Sequence, residues 1–130
     1  MSRRSDEPEG ASANPTPTVP DAQQTEEVSP EELRVLLDNE AVRLIDCREP
    51  DEYALCRIGG AVQIPLQQIP AEIEAVRGEG DRPVVVYCHH GMRSLNATQF
   101  LRARGLADVF SLRGGIDAWS LVVDPGVPRY

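Results

Sequence analysis

The residues best suited to chemistry lie in one run, Cys88-His89-His90-Gly91-Met92-Arg93-Ser94. It gathers a thiol, two imidazoles, a guanidinium and a hydroxyl around a glycine. The run follows Pro83-Val84-Val85-Val86-Tyr87, which is β-branched and apolar on both faces, the pattern of a strand at the centre of a parallel sheet. A helix is expected from Ser94 to Arg104, with Gly105 as its stop. A loop turning sharply from strand to helix points several backbone N–H groups inward, and the helix dipole makes them an anion site. Gly91 is expected to supply a backbone conformation that other residues resist. A cysteine in such a loop has its thiolate stabilised, its pKa lowered and its nucleophilicity at neutral pH raised. Arg93 adds a positive charge, Ser94 is placed to cap the helix, and His89 and His90 line the loop. Taken alone, Cys88 reads more readily as a small buried residue closing a strand. No metal site is expected, because adjacent Cys, His and His seldom point at one ion and no second cluster completes a tetrahedral set.

The rest of the chain supplies a frame for this loop. Ser29-Pro30-Glu31-Glu32 is a helix start, with Ser29 as N-cap, Pro30 at the first helical position and Glu32 completing a capping box. Leu33, Leu36 and Leu37 give that helix one apolar face. Ala41 to Ile45 reads as a buried strand ending at Asp46-Cys47-Arg48, and Pro50-Asp51-Glu52-Tyr53 as a short helical turn. Ala61 to Ile64 reads as a second strand. Leu66, Ile69, Ile73 and Val76 recur at helical spacing up to Gly78. Val109 to Leu112 is a last strand, and Gly114-Gly115 opens a short helix carrying Ile116 and Trp119. Alternating strands and helices predict an α/β fold, a central parallel sheet with helices on both faces, whose ligands sit beyond the C-terminal strand ends. Both chemistry-bearing segments, Asp46-Cys47-Arg48 and Cys88 to Ser94, fall there.

Composition narrows the classes. The chain has 130 residues, the length of one domain. Residues 1–26 are rich in Pro, Ser, Thr and Glu and are expected to form a disordered tail. Residues 27–130 form the domain, with 122–130 as an irregular C-terminal segment. A net charge of −8 argues against nucleic acid and, more weakly, against anionic membranes. Three cysteines, Cys47, Cys56 and Cys88, are too few and too irregular for a secreted disulfide framework. No apolar run is long enough for an export signal or a membrane span, so a cytoplasmic location is expected.

Four blocks together resemble the rhodanese-like domain family, in the order and spacing of its single-domain sulfurtransferases. They are Leu44-Ile45-Asp46-Cys47-Arg48-Glu49-Pro50-Asp51-Glu52-Tyr53, Ile58-Gly59-Gly60-Ala61-Val62-Gln63-Ile64-Pro65, the loop from Cys88 to Ser94, and Leu112-Arg113-Gly114-Gly115-Ile116-Asp117-Ala118-Trp119. The resemblance implies a transferase of sulfur metabolism in which Cys88 accepts a sulfane sulfur as a persulfide. The sulfur would come from a donor such as thiosulfate and pass to cyanide, a cellular thiol or a protein acceptor, with no cofactor. It implies that Arg93 helps hold an anionic donor and that Asp46 and Arg48 are supporting residues, with Arg48 expected to pair with a carboxylate such as Glu52. Cys56-Arg57 stands where the family has Gly-His, with Arg57 a candidate replacement donor. Cys47 stands where an apolar residue is usual. Both cysteines read first as packing, and second as candidates to resolve an oxidised or persulfidated Cys88. The segment from Val123 to Tyr130 resembles tails on rhodanese domains fused to cofactor-sulfurylating enzymes.

Two other classes remain open. Rhodanese-like domains also serve as non-catalytic or regulatory binding modules, usually without the cysteine that this chain keeps. Related phosphatases and arsenate reductases share the scaffold. The cradle from Cys88 to Arg93 has six residues, one fewer than in the phosphatases, which favours a sulfur atom over a tetrahedral phosphate.

Overall fold

The computed structural model describes residues 17–130. Five strands form one wholly parallel sheet: β1 (Glu27–Val28), β2 (Arg43–Asp46), β3 (Val62–Gln63), β4 (Val84–Tyr87) and β5 (Val109–Leu112), in the spatial order β1-β5-β4-β2-β3. β4 is central, and all four of its residues are buried. Five α-helices, α1 (Pro30–Asp38), α2 (Pro50–Leu55), α3 (Ile73–Arg77), α4 (Met92–Ala103) and α5 (Gly115–Val122), complete the α/β architecture expected from the alternating pattern.

Side chains alternate along each strand, so the sheet builds two cores. Leu44, Val85, Tyr87, Phe110 and Leu112 pack with Leu33 and Leu36 of α1 and with Ile116 and Trp119 of α5. On the other face Ile45, Val84, Val86 and Val109 pack with Val76 of α3 and with Ala97 and Leu101 of α4. Cys47 and Cys88 belong to this second core, whereas Cys56 belongs to the first. Among the described residues, no helix is long and apolar enough to cross a membrane.

Local chemistry sets the helix ends. Ser29 Oγ accepts from Glu32 N at 3.1 Å, and Glu32 Oε1 accepts from Ser29 N at 2.7 Å, which closes the capping box at the head of α1. The single helix expected across Leu66 to Gly78 is instead a 3-10 segment, Leu66–Ala71, followed by the separate α3. Pro70 lacks an N–H donor and lies inside that segment, so an unbroken α-helical ladder cannot form there. Residues 1–16 of the expected tail lie outside the described residues. Residues 17–26 run along the body, where Arg102 of α4 donates to the Ala22 carbonyl at 2.8 Å and the Thr25 carbonyl at 3.0 Å.

Ser29→Ala removes one half of the capping box. The expected loss is about 1 kcal/mol, seen as a lower denaturant midpoint with an unchanged slope in urea unfolding.

Candidate active site

β2 and β4 run side by side with Asp46 opposite Tyr87, so Cys47 and Cys88 follow one another's strands at the same sheet edge. Beyond Cys88 the chain turns through Gly91, whose φ of 109° lies in the left-handed region. Gly114, at a φ of 76°, turns the chain into α5, and Gly115 lets that helix approach from the other side. Ile116 N donates to the Cys88 carbonyl at 2.9 Å and Asp117 N to the His89 carbonyl at 3.1 Å. A Cβ on Gly115 would collide with those same carbonyls. Held outward in this way, the loop's carbonyls leave its N–H groups to face the sulfur.

Cys88 is 1% exposed. Its Sγ accepts from Gly91 N at 3.1 Å and from Ser94 N at 3.4 Å, at the head of the twelve-residue α4. Ser94 Oγ lies 3.4 Å from the sulfur and 2.7 Å from Ser111 Oγ of β5. A thiolate can only accept, so the consistent orientation runs Ser111 to Ser94 to Cys88, each hydroxyl donating to the next. The Cys47 thiol beside it is the largest influence favouring the anion. Burial opposes ionisation, and the donors from Ser94 and Gly91 overcome it, bringing the Cys88 pKa down to about 5. The same contact, with burial, drives the Cys47 thiol far above its ordinary range.

The helix begins earlier than its sequence suggests. Gly91 is the N-cap, and Ser94 stands in the first turn, so Ser94 serves the sulfur rather than capping the helix. Arg93, also in that turn, points away to Glu52 of α2 in a two-pronged pair at 2.8 and 2.9 Å. Arg93 and then, against burial, Tyr130 and Glu49 N hold Glu52 down to about 2. Arg48 does not pair with Glu52 as expected. It is wholly buried and binds Asp46 instead, at 2.9 Å (Nε) and 2.6 Å (Nη2), while donating to the Cys56 carbonyl at 2.6 Å. The physical reason is local: Arg48 N also donates to Asp46 Oδ1 at 2.9 Å, which brings the two residues together, whereas Arg93 takes both oxygens of Glu52. Tyr87 Oη donates to Asp46 at 2.8 Å and accepts from Ile58 N at 3.1 Å. Arg57, the candidate donor for the lost family histidine, donates to the Tyr53 carbonyl at 3.0 Å and lies over the Tyr53 ring.

His89, His90 and Met92 form the rim. The His89 ring lies between His90, at 3.9 Å, and the nearly parallel ring of Tyr130, at 3.8 Å. Tyr130 Oη accepts from Arg48 Nη1 at 2.9 Å and donates to Glu52 at 2.7 Å, joining the two ion pairs. His90 is exposed, with Asp117 4.0 Å away, and Met92 is exposed at the helix head. Sequence reasoning missed Ser111, left the carboxylate partner of Arg93 unnamed where the structure has Glu52, and gave Tyr130 only an edge to cover where it lies on His89. Ser111 did leave a trace, as the one hydroxyl in the apolar strand Val109-Phe110-Ser111-Leu112.

This cradle coincides with a recognised family pattern: residues 29–121 match the family model described as "Rhodanese-like domain". The chain belongs to the rhodanese-like domain family. A sulfurtransferase of Allochromatium vinosum is 42% identical over 85 residues, covering 65% of this chain and 78% of the relative. MoeZ of Mycobacterium tuberculosis, named as an adenylyltransferase/sulfurtransferase, is 36% identical over 79% of this chain, which spans only 26% of that protein. The crystal structure of a thiosulfate sulfurtransferase from Pseudomonas aeruginosa superposes with a TM-score of 0.70 at 27% identity, over 82% of this chain and 21% of that one.

Two outcomes are expected of this rhodanese-like site. Iodoacetamide labelling of Cys88, followed by peptide mass, should rise through a midpoint near pH 5, and Ser94→Ala should move that midpoint upward. A wild-type midpoint near the ordinary value of 9 would contradict the cradle described here. Arg48→Met leaves Asp46 buried without its countercharge, and should cost about 3–5 kcal/mol in chemical denaturation.

Proposed function

We propose that this rhodanese-like chain is a sulfurtransferase that carries sulfane sulfur as a persulfide on Cys88. The observation that carries the reading is the Cys88 sulfur in a six-residue cradle whose donors come from Gly91 N, Ser94 N and Ser94 Oγ. The names of the Allochromatium relative and the Pseudomonas neighbour support the reaction class.

With thiosulfate as donor, the Cys88 thiolate attacks the outer sulfur. A new S–S bond forms, the old one breaks, and sulfite leaves with the electron pair. No general base is needed, because the thiol is ionised at neutral pH. The loop's fixed N–H groups then face the charged outer sulfur, the same electrostatic help an oxyanion hole provides. A cyanide or thiol acceptor takes the outer sulfur and returns the thiolate. A protein is proposed as an alternative acceptor. Arg93 contributes mainly by shaping the rim, since Glu52 already engages its guanidinium on two prongs.

The test is intact-protein mass after brief incubation with thiosulfate. Wild type should gain one sulfur that cyanide removes, and Cys88→Ser should gain none. Failure of wild type with thiosulfate and with an organic persulfide donor would overturn the transferase reading in favour of a binding module. Rapid release of phosphate from an aryl phosphate would favour the phosphatase class.

A further inference from the structure

Resting on the persulfide reading, a second thiol at the same sheet edge gives the site an outcome that transfer alone does not use. Cys47 and Cys88 follow directly on the paired residues Asp46 and Tyr87, and Cys47 N donates to the Tyr87 carbonyl at 3.0 Å. Neighbouring strands lie about 4.8 Å apart. That spacing falls inside the roughly 4.4–6.8 Å between Cα atoms that a disulfide spans. Both side chains enter the same core, beneath α4. Cys47 is 0% exposed, and its thiol influences the ionisation of Cys88 more than any other group does. Cys56 packs in the opposite core against Arg48, so only one of the two candidate resolving cysteines can reach.

The direction of approach matters as much as proximity. Cys47 is wholly buried in the core it shares with Cys88, whereas the Gly91 and Ser94 donors reach the sulfur from the loop. An outer sulfur therefore extends toward the loop, among the Gly91 and Ser94 donors. The buried Cys47 thiol is then left on the side of the inner sulfur.

We infer that Cys47 is a resolving thiol: it attacks the inner sulfur of the Cys88 persulfide, closes a Cys47–Cys88 disulfide and expels the outer sulfur as sulfide. The bond between the two persulfide sulfurs breaks and its electron pair leaves with the outer atom. The Cys47 proton passes to that departing sulfide, so persulfide anion plus thiol becomes disulfide plus hydrosulfide ion. The sulfane sulfur is reduced by two electrons, and the cysteine pair is oxidised by two. An external dithiol resets the site by thiol–disulfide exchange. The chain thereby releases sulfide when no acceptor takes the sulfur. The buried, un-ionised Cys47 thiol keeps this route slower than transfer to a waiting acceptor.

The experiment follows a preformed persulfide, so a change in loading rate does not enter. Wild type, Cys47→Val and Cys56→Val, each checked for native circular dichroism, are loaded with thiosulfate and freed of donor and reductant. Intact mass and a sulfide electrode then follow them. Wild type and Cys56→Val should lose the added sulfur together with two hydrogens, release one sulfide per chain, and yield a Cys47–Cys88 cross-linked peptide. Cys47→Val should keep its sulfur until cyanide is added, and release no sulfide. Equal persulfide lifetimes in wild type and Cys47→Val would overturn the inference while leaving the persulfide reading intact. No sulfur gain in any of the three would overturn both.

Discussion

A charged sulfur can be held at 1% exposure only if fixed donors replace the water it has lost. Here the replacement is the Cys47 thiol first, then the Ser94 hydroxyl and two backbone N–H groups, of the loop and of the head of α4. Backbone donors are useful in this place because they cannot titrate or swing away. They face inward only if the loop carbonyls face outward and find donors of their own. Those are Ile116 N and Asp117 N at the head of α5, which lies close because Gly115 has no side chain. The two helices therefore act as a pair. α4 serves the sulfur, and α5 holds the strip of backbone that lets it do so.

The buried Asp46–Arg48 pair does comparable work on the other side of the sheet. An unpaired guanidinium in that position would be prohibitive. Asp46, the Cys56 carbonyl and Tyr130 occupy its donors, while Tyr87 at the end of the central strand shares Asp46. Burial works against the arginine's charge, and the bonds from Asp46 and Tyr130 more than offset it. This network fixes the segment after β2, from which α2 leads Glu52 to Arg93. The rim of the site is thus secured through a charge pair that never touches the nucleophile.

Much of this was legible in the sequence where a strong local pattern met a simple tertiary demand. Val84 to Tyr87 is apolar on both faces because the central strand is covered on both, and the capping box at Ser29 needs only its own turn. The loop's chemistry followed from a cysteine placed between such a strand and a helix. What failed depended on geometry across elements. Pro70 turned an apparently helical repeat into two short pieces. Arg48 and Arg93 could each have claimed Glu52, and only the direction of α2 decides between them. The reach of Cys47, as against Cys56, was set by which of the two cores each side chain enters. Tyr130 had no local signature, since stacking on a residue 41 positions earlier leaves none.

Tyr130 also makes the site mechanically continuous with the C-terminal segment. Ser120 anchors that segment at the Val127 carbonyl, and Arg129 pairs with Asp117, the residue whose N–H holds the His89 carbonyl. The segment's final ring then lies flat on His89, with its hydroxyl between a buried arginine and the carboxylate that restrains Arg93. Lifting it would uncover the loop, leave one arginine donor unanswered and loosen the other arginine, all in one movement. The last residue of the segment is thereby fastened to the rim as a latch is to its door.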